Sequence, residues 1–203
     1  MPTSDDQLSL VRAALALPGE DSSDFDLNPG IAAPEGRALR SAGVLMALAE
    51  GSQGLDVYLT KRANHLKHHP GQIAFPGGKQ EPGDGSAVAA ALREAEEEIA
   101  LPRDAVEVLG TLPPHETVTS FTVTPVVGRV IRPFDPRPEI GEVEEVFRVP
   151  LSFLMDAANY RIEGRRWQGR RRHYFAVPYG PYYIWGATAR MLRGLADRMA
   201  RCG

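Results

Sequence analysis

Residues 77–101, GGKQEPGDGSAVAAALREAEEEIAL, constrain this chain more than any other stretch. A glycine-rich turn runs through an acidic loop into a helix that begins near Ser86 and ends before Pro102, which cannot extend it. At about 100° per residue, Val88, Ala91, Leu92, Ala95 and Ile99 share one apolar stripe, while Glu94, Glu97 and Glu98 gather on another face. One face packs and the other holds three carboxylates.

Carboxylates at i, i+3 and i+4 repel one another and weaken an isolated helix. A divalent cation reverses the sign, and hard oxygen ligands at this spacing suit Mg²⁺ or Mn²⁺, which keep several waters and bridge to substrate phosphates. The alternative is a solvated acidic face. The preceding GGKQEPGD loop tells against it, because glycines permit close backbone approach to a ligand and are not needed to start a helix.

The chain's 203 residues suit one domain, or one domain with arms, and are ample to bury a core. With 43% hydrophobic and 24% charged residues the composition is that of a soluble globular protein. A net charge of −3 gives no general attraction to nucleic acid or to an anionic membrane. Cys202 is the only cysteine, so no intrachain disulfide forms, which suits a reducing compartment. MPTSDDQ lacks the basic and apolar regions of an export signal, and no run approaches ~18 apolar residues. The expectation is a cytoplasmic protein with no nucleic-acid or membrane partner.

Ser4 to Gln7 has capping-box spacing, and Leu8, Val11, Leu15 and Leu17 follow at near-helical intervals. Residues 18–37, rich in Pro and Gly among acids, read as an irregular arm. Residues 1–37 are therefore expected to be a helix and an arm, and 38–203 the main domain. The apolar runs 42–49 and 55–60 flank Glu50-Gly51-Ser52-Gln53-Gly54, a β-hairpin signal. Segments 106–112, 121–131 and 143–149 read as strands, with Pro113, Pro114 and Pro125 limiting their regularity. A short helix over 151–159 is followed by strands 160–164 and 171–177, paired across Trp167-Gln168-Gly169. A last helix runs from about Trp185 to Arg201, with Met191, Leu192, Leu195 and Met199 at helical spacing. The fold class is α/β, of mixed α+β type.

Gly78, Asp84, Arg93, Glu94, Glu97, Glu98 and Leu101 resemble the signature of the Nudix hydrolases, G-x5-E-x7-REUxEExGU with U aliphatic. The chain departs from it in three places. Asp84 stands for the first Glu, eight residues rather than seven precede Arg93, and Ala100 stands for the late Gly. A left-handed cap at Ala100 would cost roughly 1 kcal/mol relative to Gly. Upstream, Tyr58-Leu59-Thr60-Lys61-Arg62-Ala63, Lys67, Gly71 and Phe75-Pro76-Gly77-Gly78 resemble LLTxR[SA]xxxRxxxGxxxFPGG, which marks the coenzyme A pyrophosphatase branch. Tyr58 replaces the first Leu and Lys67 the second Arg, without the bidentate fork. Residues 146–154 and 182–192 are similar to later stretches of that branch, so the likeness covers about 38–198.

The resemblance implies a Nudix-type α/β/α sandwich with a mixed β-sheet, and hydrolysis of the coenzyme A diphosphate to 4′-phosphopantetheine and 3′,5′-ADP. It implies that Glu94, Glu97 and Glu98, helped by the Gly77 carbonyl, hold Mg²⁺ or Mn²⁺. Arg93 orients carboxylates, with Asp84 as its candidate partner and a plain i,i+4 pair with Glu97 as the alternative. The general base stays open between Glu97 or Glu98, serving as ligand and base in turn, and Glu142 of the second acidic cluster, IGEVEEVF. Arg62, Lys67 and Gly78 are the substrate contacts, since coenzyme A carries a 3′-phosphate beyond its diphosphate. Arg165, Arg166, Arg170, Arg171 and Arg172 surround a turn and either reach that phosphate or solvate a hairpin tip. His65, His68 and His69 lack a cysteine and a fourth ligand, so a zinc site gives way to phosphate contact or surface roles. His115 reads as a loop residue or a pH-sensitive site contact, and YYIW at 182–185 as core or homodimer interface.

Two other functions compete. One is a Nudix hydrolase of a different nucleotide diphosphate, such as NADH, ADP-ribose or a nucleoside triphosphate. The other is a catalytically silent domain that binds a nucleotide and regulates a partner. Retention of three mutually repelling glutamates tells against the silent domain, which has no chemical reason to keep them.

Overall fold

The structure is a computed structural model that describes residues 3–203 other than 32, 34, 35, 67, 68 and 168, and at 167 only the backbone. The hairpin signal is realised by β2 (Arg40–Gly51) and β3 (Gly54–Arg62), antiparallel from Leu48↔Val57 to Gly51↔Gly54. The other elements in chain order are α1 (Ser4–Ala16) and β1 (Ser22–Ser23) before the hairpin, then β4 (Ile73–Ala74), β5 (Gly77–Lys79), α2 (Ala87–Ile99), β6 (Val106–Thr111) and β7 (His115–Glu116). There follow β8 (Phe121–Val130), β9 (Val143–Pro150), α3 (Leu151–Met155), β10 (Arg161–Trp167), β11 (Arg170–Tyr179), β12 (Tyr182–Trp185) and α4 (Gly186–Met199).

Among the described residues the main sheet runs β1-β7-β8-β2-β3-β4, with β5 on β2, β6 on β8 and β9 on β3. It is mixed: β2 and β8 run parallel from Arg40↔Phe121 to Leu48↔Arg129, and β2 and β3 antiparallel. Alternation along β2 divides the core. Leu45, Ala47 and Ala49 face Ala91, Ala95 and Ile99 of α2, while Met46 and Leu48 join Val11, Leu154, Leu192 and Leu195 from α1, α3 and α4. This is the expected α/β/α sandwich. Each fully buried leucine or isoleucine contributes on the order of 2 kcal/mol. A second sheet, β10-β11-β12, is antiparallel and packs on α4 through β11 and β12.

Local chemistry sets the position of α2. Ser86 is its N-cap and accepts from the Ala89 N–H at 3.1 Å. The helix seats flush on β2 because Gly43 has no side chain: a Cβ there would lie 1.9 Å from the Ala87 carbonyl oxygen. Ala100 closes the helix in the left-handed region (φ 58°, ψ 29°), with its N–H returned to Ala95 and Glu96.

Several expectations are corrected. The first helix is capped by Thr3, in a capping box with Asp6, not by Ser4 with Gln7. Gln7 is buried instead, and its side-chain oxygen accepts the Leu55 N–H at 2.6 Å. The arm at 18–37 is not merely irregular: β1 pairs with β7, and buried Asn28 exchanges hydrogen bonds with the His173 backbone at 3.0 and 2.8 Å. His115 is no loop residue but lies in β7, fully buried, with its ring held by Ser22 Oγ at 2.9 Å and Asp24 Oδ1 at 3.2 Å. The helix expected over 151–159 ends at Met155, because Asp156 leaves helical geometry and caps a separate 3₁₀ turn, Ala157–Asn159. Trp185 both closes β12 and is the N-cap of the last helix, as its place at the start of that element requires. Pro125 does not interrupt β8: its carbonyl accepts from Leu112 at 2.9 Å, on the side where β6 has ended and β7 has not begun. The bond that its missing N–H would return to the Leu112 carbonyl is the one given up, at the point where β6 has ended.

Candidate functional site

Strand β5 carries the glycine turn along β2 in the register Ala42↔Lys79 to Val44↔Gly77. Leu45 N–H donates to the Pro76 carbonyl at 2.8 Å and Gln80 N–H to the Ser41 carbonyl at 2.9 Å. Alternation from these two bonds puts Gly77 on a non-hydrogen-bonded pair, so its N–H and carbonyl both face away from β2. The N–H donates to Glu98 Oε2 at 3.0 Å. The carbonyl is left out of the ladder, as a metal or substrate contact at Gly77 requires. Gly78 is fitted to α2: a Cβ there would lie 2.5 Å from the Glu94 carboxylate.

Arg93 ties the acidic loop to the helix. Its Nε and Nη2 donate to Asp84 Oδ1 and Oδ2 at 2.8 and 3.1 Å, and Nη2 also reaches the Lys79 carbonyl at 3.2 Å. Its Nη1 lies 3.0 Å from Glu94 Oε1 and 2.9 Å from Glu97 Oε2. The two expected readings of Arg93 are thus both present, as a fork on Asp84 and an i,i+4 pair with Glu97. Asp84 also accepts the Glu81 N–H at 2.7 Å. The Arg93 fork and that N–H hold the Asp84 carboxyl down to about 2.

The three helix glutamates differ in environment. The Glu97 side chain is 55% exposed and that of Glu94 17%, while Glu98 as a residue is only 6% exposed. Burial raises the Glu94 carboxyl, with Arg93 opposing the shift. Burial raises Glu98 further, to about 8, against the Gly77 N–H that stabilises its charged form. Glu94 and Glu142 add repulsion and Arg62 relieves part of it. The site therefore holds a carboxylate that lacks the positive charge it needs.

Arg62, at the end of β3, and Glu142, just before β9, both act electrostatically on Glu98, the arginine lowering its carboxyl and the glutamate raising it. The ladder between β3 and β9 shifts register between Lys61 and Arg62, and the Ala63 N–H closes on the Glu142 carbonyl at 2.9 Å. The Glu139 N–H donates to the Glu98 carbonyl at 2.9 Å, fastening the 135–142 loop to the end of α2. Among the described residues neither the Arg62 nor the Glu142 side chain has a hydrogen bond or ion pair. Lys67 and His68 lie outside the described residues. The remaining acids of the second cluster are engaged: Glu144 with Lys61 Nζ at 2.6 Å, and Glu145 with the Tyr182 hydroxyl at 2.5 Å, whose ring stacks on Phe147. Sequence reasoning missed these two contacts and the Glu139 tether, which join residues distant in the chain and leave no local pattern. The arginines at 165–172 belong to the second sheet.

The donors on this helix are of the hard oxygen type that a divalent cation takes. Glu94, Glu97 and Glu98 offer carboxylate oxygens from successive turns of one helix, the Gly77 carbonyl is free of the ladder, and uncompensated negative charge accumulates around Glu98. Among the described residues no three His, Cys, Asp or Glu side chains converge at ligand distance. Arg93 draws Glu94 and Glu97 toward the loop while Glu98 turns to Gly77, so the three fan out around the helix.

A model described as NUDIX domain matches residues 38–167. The Uncharacterized Nudix hydrolase NudL of Enterobacter sp. (strain 638) is 43% identical over 157 residues, which cover 77% of this chain and 81% of that protein. The protein so named from Salmonella newport (strain SL254) is 45% identical over 158 residues, again 77% and 81%. Among solved structures, a MutT/nudix family protein from Enterococcus faecalis is similar with a TM-score of 0.50 at 15% identity, over 85% of this chain and 66% of that one, a likeness of fold.

Proposed function

The chain belongs to the Nudix family, and from that premise we propose that it hydrolyses the diphosphate of coenzyme A, and of acyl-coenzyme A, to 4′-phosphopantetheine and 3′,5′-ADP. The family's chemistry, hydrolysis of nucleotide diphosphate derivatives, is the broader statement; coenzyme A is the specific reading. The observation that carries it is the turn at the end of the branch-like segment, where the Gly77 N–H donates to the buried Glu98 carboxylate at 3.0 Å. The segment that resembles the coenzyme A branch supplies the end of β3, β4 and the start of β5, and the charge of its Arg62 acts on the signature's buried Glu98.

Nudix hydrolases generally need a divalent metal ion. Here Glu94, Glu97 and Glu98, with the Gly77 carbonyl, would hold Mg²⁺ or Mn²⁺. When bound, the ion supplies positive charge to the diphosphate oxygens and acidifies a water. The chain's own groups do the rest. Arg93 fixes Glu94 and Glu97 against Asp84, so the carboxylates reach the reaction already oriented. Gly78 lets the Glu94 carboxylate lie against the turn. Arg62, with Lys67, neutralises phosphate oxygens that would otherwise repel a nucleophile, and Gly78 admits the diphosphate. A carboxylate takes the proton of the attacking water, with Glu98 or Glu97 and Glu142 as the candidates; Glu98's raised proton affinity suits that role. One phosphoanhydride P–O bond breaks and a P–O bond to the water oxygen forms, leaving two phosphomonoesters. In this reading residues 38–203 carry the hydrolase and 1–37 brace it.

Product analysis tests the substrate. Purified protein is incubated with coenzyme A, NADH, ADP-ribose and a nucleoside triphosphate under Mg²⁺ or Mn²⁺. Release of 3′,5′-ADP from coenzyme A in preference to turnover of the others supports the reading. Cleavage of another member alone keeps the family chemistry and discards coenzyme A, and a silent panel favours a nucleotide-binding regulator.

A further inference from the structure

The second sheet carries a charge distribution that the hydrolase does not explain. Residues 161–172 contain six of the chain's 23 basic side chains and one of its 26 acidic ones, a local charge of +5 within a total of −3, which leaves −8 on the rest. In the ladder Arg165 stands directly opposite Arg172, and Arg166 opposite Arg171. Like charges so placed destabilise a strand pair. The sole acid within 161–172, Glu163, lies on the face of Arg165 and Arg172 and accepts from the Tyr183 hydroxyl at 2.6 Å.

Register puts aromatic rings beside these arginines. Arg161, Glu163, Arg165, Arg170, Arg172 and Tyr174 share one face of the β10-β11 ribbon, four cations to one carboxylate, and the pairs Ala176↔Trp185 and Pro178↔Tyr183 add Trp185 and Tyr183 to that face. Tyr183 is 40% exposed. The Tyr174 and Trp185 rings lie 5.1 Å apart, tilted by 59°, and are half-buried. Arg172 lies over the Phe25 ring at 5.4 Å, which steadies it at the edge of the face. Cations that track a backbone, interleaved with exposed aromatic faces on a sheet, are what a single-stranded nucleic acid needs.

We propose that the aromatic and arginine-rich face of the β10-β11-β12 sheet binds the phosphodiester backbone and bases of a single-stranded nucleic acid. Three other occupants fit less well. An anionic bilayer is flat, whereas Arg165 and Arg172 face one way and Arg166 and Arg171 the other. Polyphosphate or an acidic peptide satisfies the arginines but makes no use of the ring faces of Tyr183, Tyr174 and Trp185. Protection of the edge strand β10 against aggregation asks for scattered charge, not two opposed pairs. The chain's net charge argues only against general attraction, because its positive charge is concentrated in one ribbon.

The test is fluorescence anisotropy of the full chain with a labelled 20-nucleotide single-stranded RNA between 50 and 200 mM salt. The variants Arg161→Gln/Arg165→Gln and Tyr183→Ala are measured beside wild type, each checked by circular dichroism. We expect salt-dependent binding whose log–log slope falls by roughly 1.4 in the double arginine variant, at about 0.7 per phosphate contact. Tyr183→Ala should weaken binding roughly tenfold at an unchanged slope, the signature of lost stacking. No binding at 50 mM salt overturns the proposal, as do slopes identical in wild type and the arginine variant. Inorganic polyphosphate or anionic vesicles that displace the RNA equally well from wild type and Tyr183→Ala reduce the face to a charge patch and also overturn it. Arg161 and Arg165 are exposed, so a soluble, folded variant is expected; Arg161→Lys/Arg165→Lys, which keeps both charges, should retain the wild-type slope.

Discussion

Arg93 holds Asp84 through two parallel hydrogen bonds, Nε to Oδ1 at 2.8 Å and Nη2 to Oδ2 at 3.1 Å, and with its remaining nitrogen reaches Glu94 and Glu97. One side chain thus sets the loop and two helix carboxylates together. Arg93→Lys keeps the charge and loses the fork, so turnover should fall by about 10–100-fold with little change in circular dichroism. Because the Asp84 carboxyl is held at about 2, below its ordinary 3.8, its contribution is present above pH 4 and lost as pH falls toward 2. Thermal melts of wild type and Asp84→Asn should therefore differ at pH 5 and converge near pH 2.

Glu98 runs the other way. Its carboxyl titrates at about 8 against an ordinary 4.5, so the folded, metal-free protein favours the protonated form. Stability is then highest below pH 4.5 with respect to this group, and declines as pH rises through 8. The full span is on the order of 5 kcal/mol, and Glu98→Gln should flatten the slope in chelator-treated protein. Binding of Mn²⁺ needs the carboxylate, so titration calorimetry in buffers of different ionisation enthalpy should report proton release below pH 8 and none well above it. Equal proton release at pH 6 and pH 9 would exclude Glu98 as the ligand.

Two glycines on facing strands predict opposite phenotypes. A Cβ at Gly43 meets the Ala87 carbonyl, part of a backbone that cannot yield, at 1.9 Å. Gly43→Ala should cost roughly 2–4 kcal/mol or prevent folding. A Cβ at Gly78 meets only the Glu94 carboxylate, at 2.5 Å, which can swing aside. Gly78→Ala should melt within a few degrees of wild type yet lose about tenfold or more in turnover.

Ala100 is a correctable strain. It sits at φ 58°, where glycine pays no steric cost, so Ala100→Gly should stabilise the protein by about 1 kcal/mol and raise Tm by roughly 2–4 °C. No rise in a thermal melt would mean that the end of α2 has another geometry.

The parts of the fold legible in the sequence are those written locally. Ser86 and Pro102 bracket α2, the 3.6 period separates its apolar and acidic faces, and alternation around Ser52-Gln53 gives the β2–β3 hairpin. What escaped depends on partners far away in the chain. Nothing near Gln7 announces its bond to Leu55, nothing in the acidic arm announces Asn28 on the His173 backbone, and nothing around His115 announces Ser22 and Asp24. The site shows the same division. The placement of Glu94, Glu97 and Glu98 on one helix follows from spacing, and the pairing of Arg93 with Asp84 from the signature. The burial that separates Glu98 from Glu97 depends on where β5 lies, and the approach of Arg62 and Glu142 on the register of β9, which no local pattern encodes.

The most direct measurement is the rate of 3′,5′-ADP release from coenzyme A by wild type and Glu98→Gln at saturating Mg²⁺ or Mn²⁺, near pH 8. The account predicts release by wild type, its abolition by chelator, and a loss of at least ~10²-fold in Glu98→Gln with the fold intact. Equal rates in the two proteins, or coenzyme A left whole by a wild type that cleaves another nucleotide diphosphate, would contradict it.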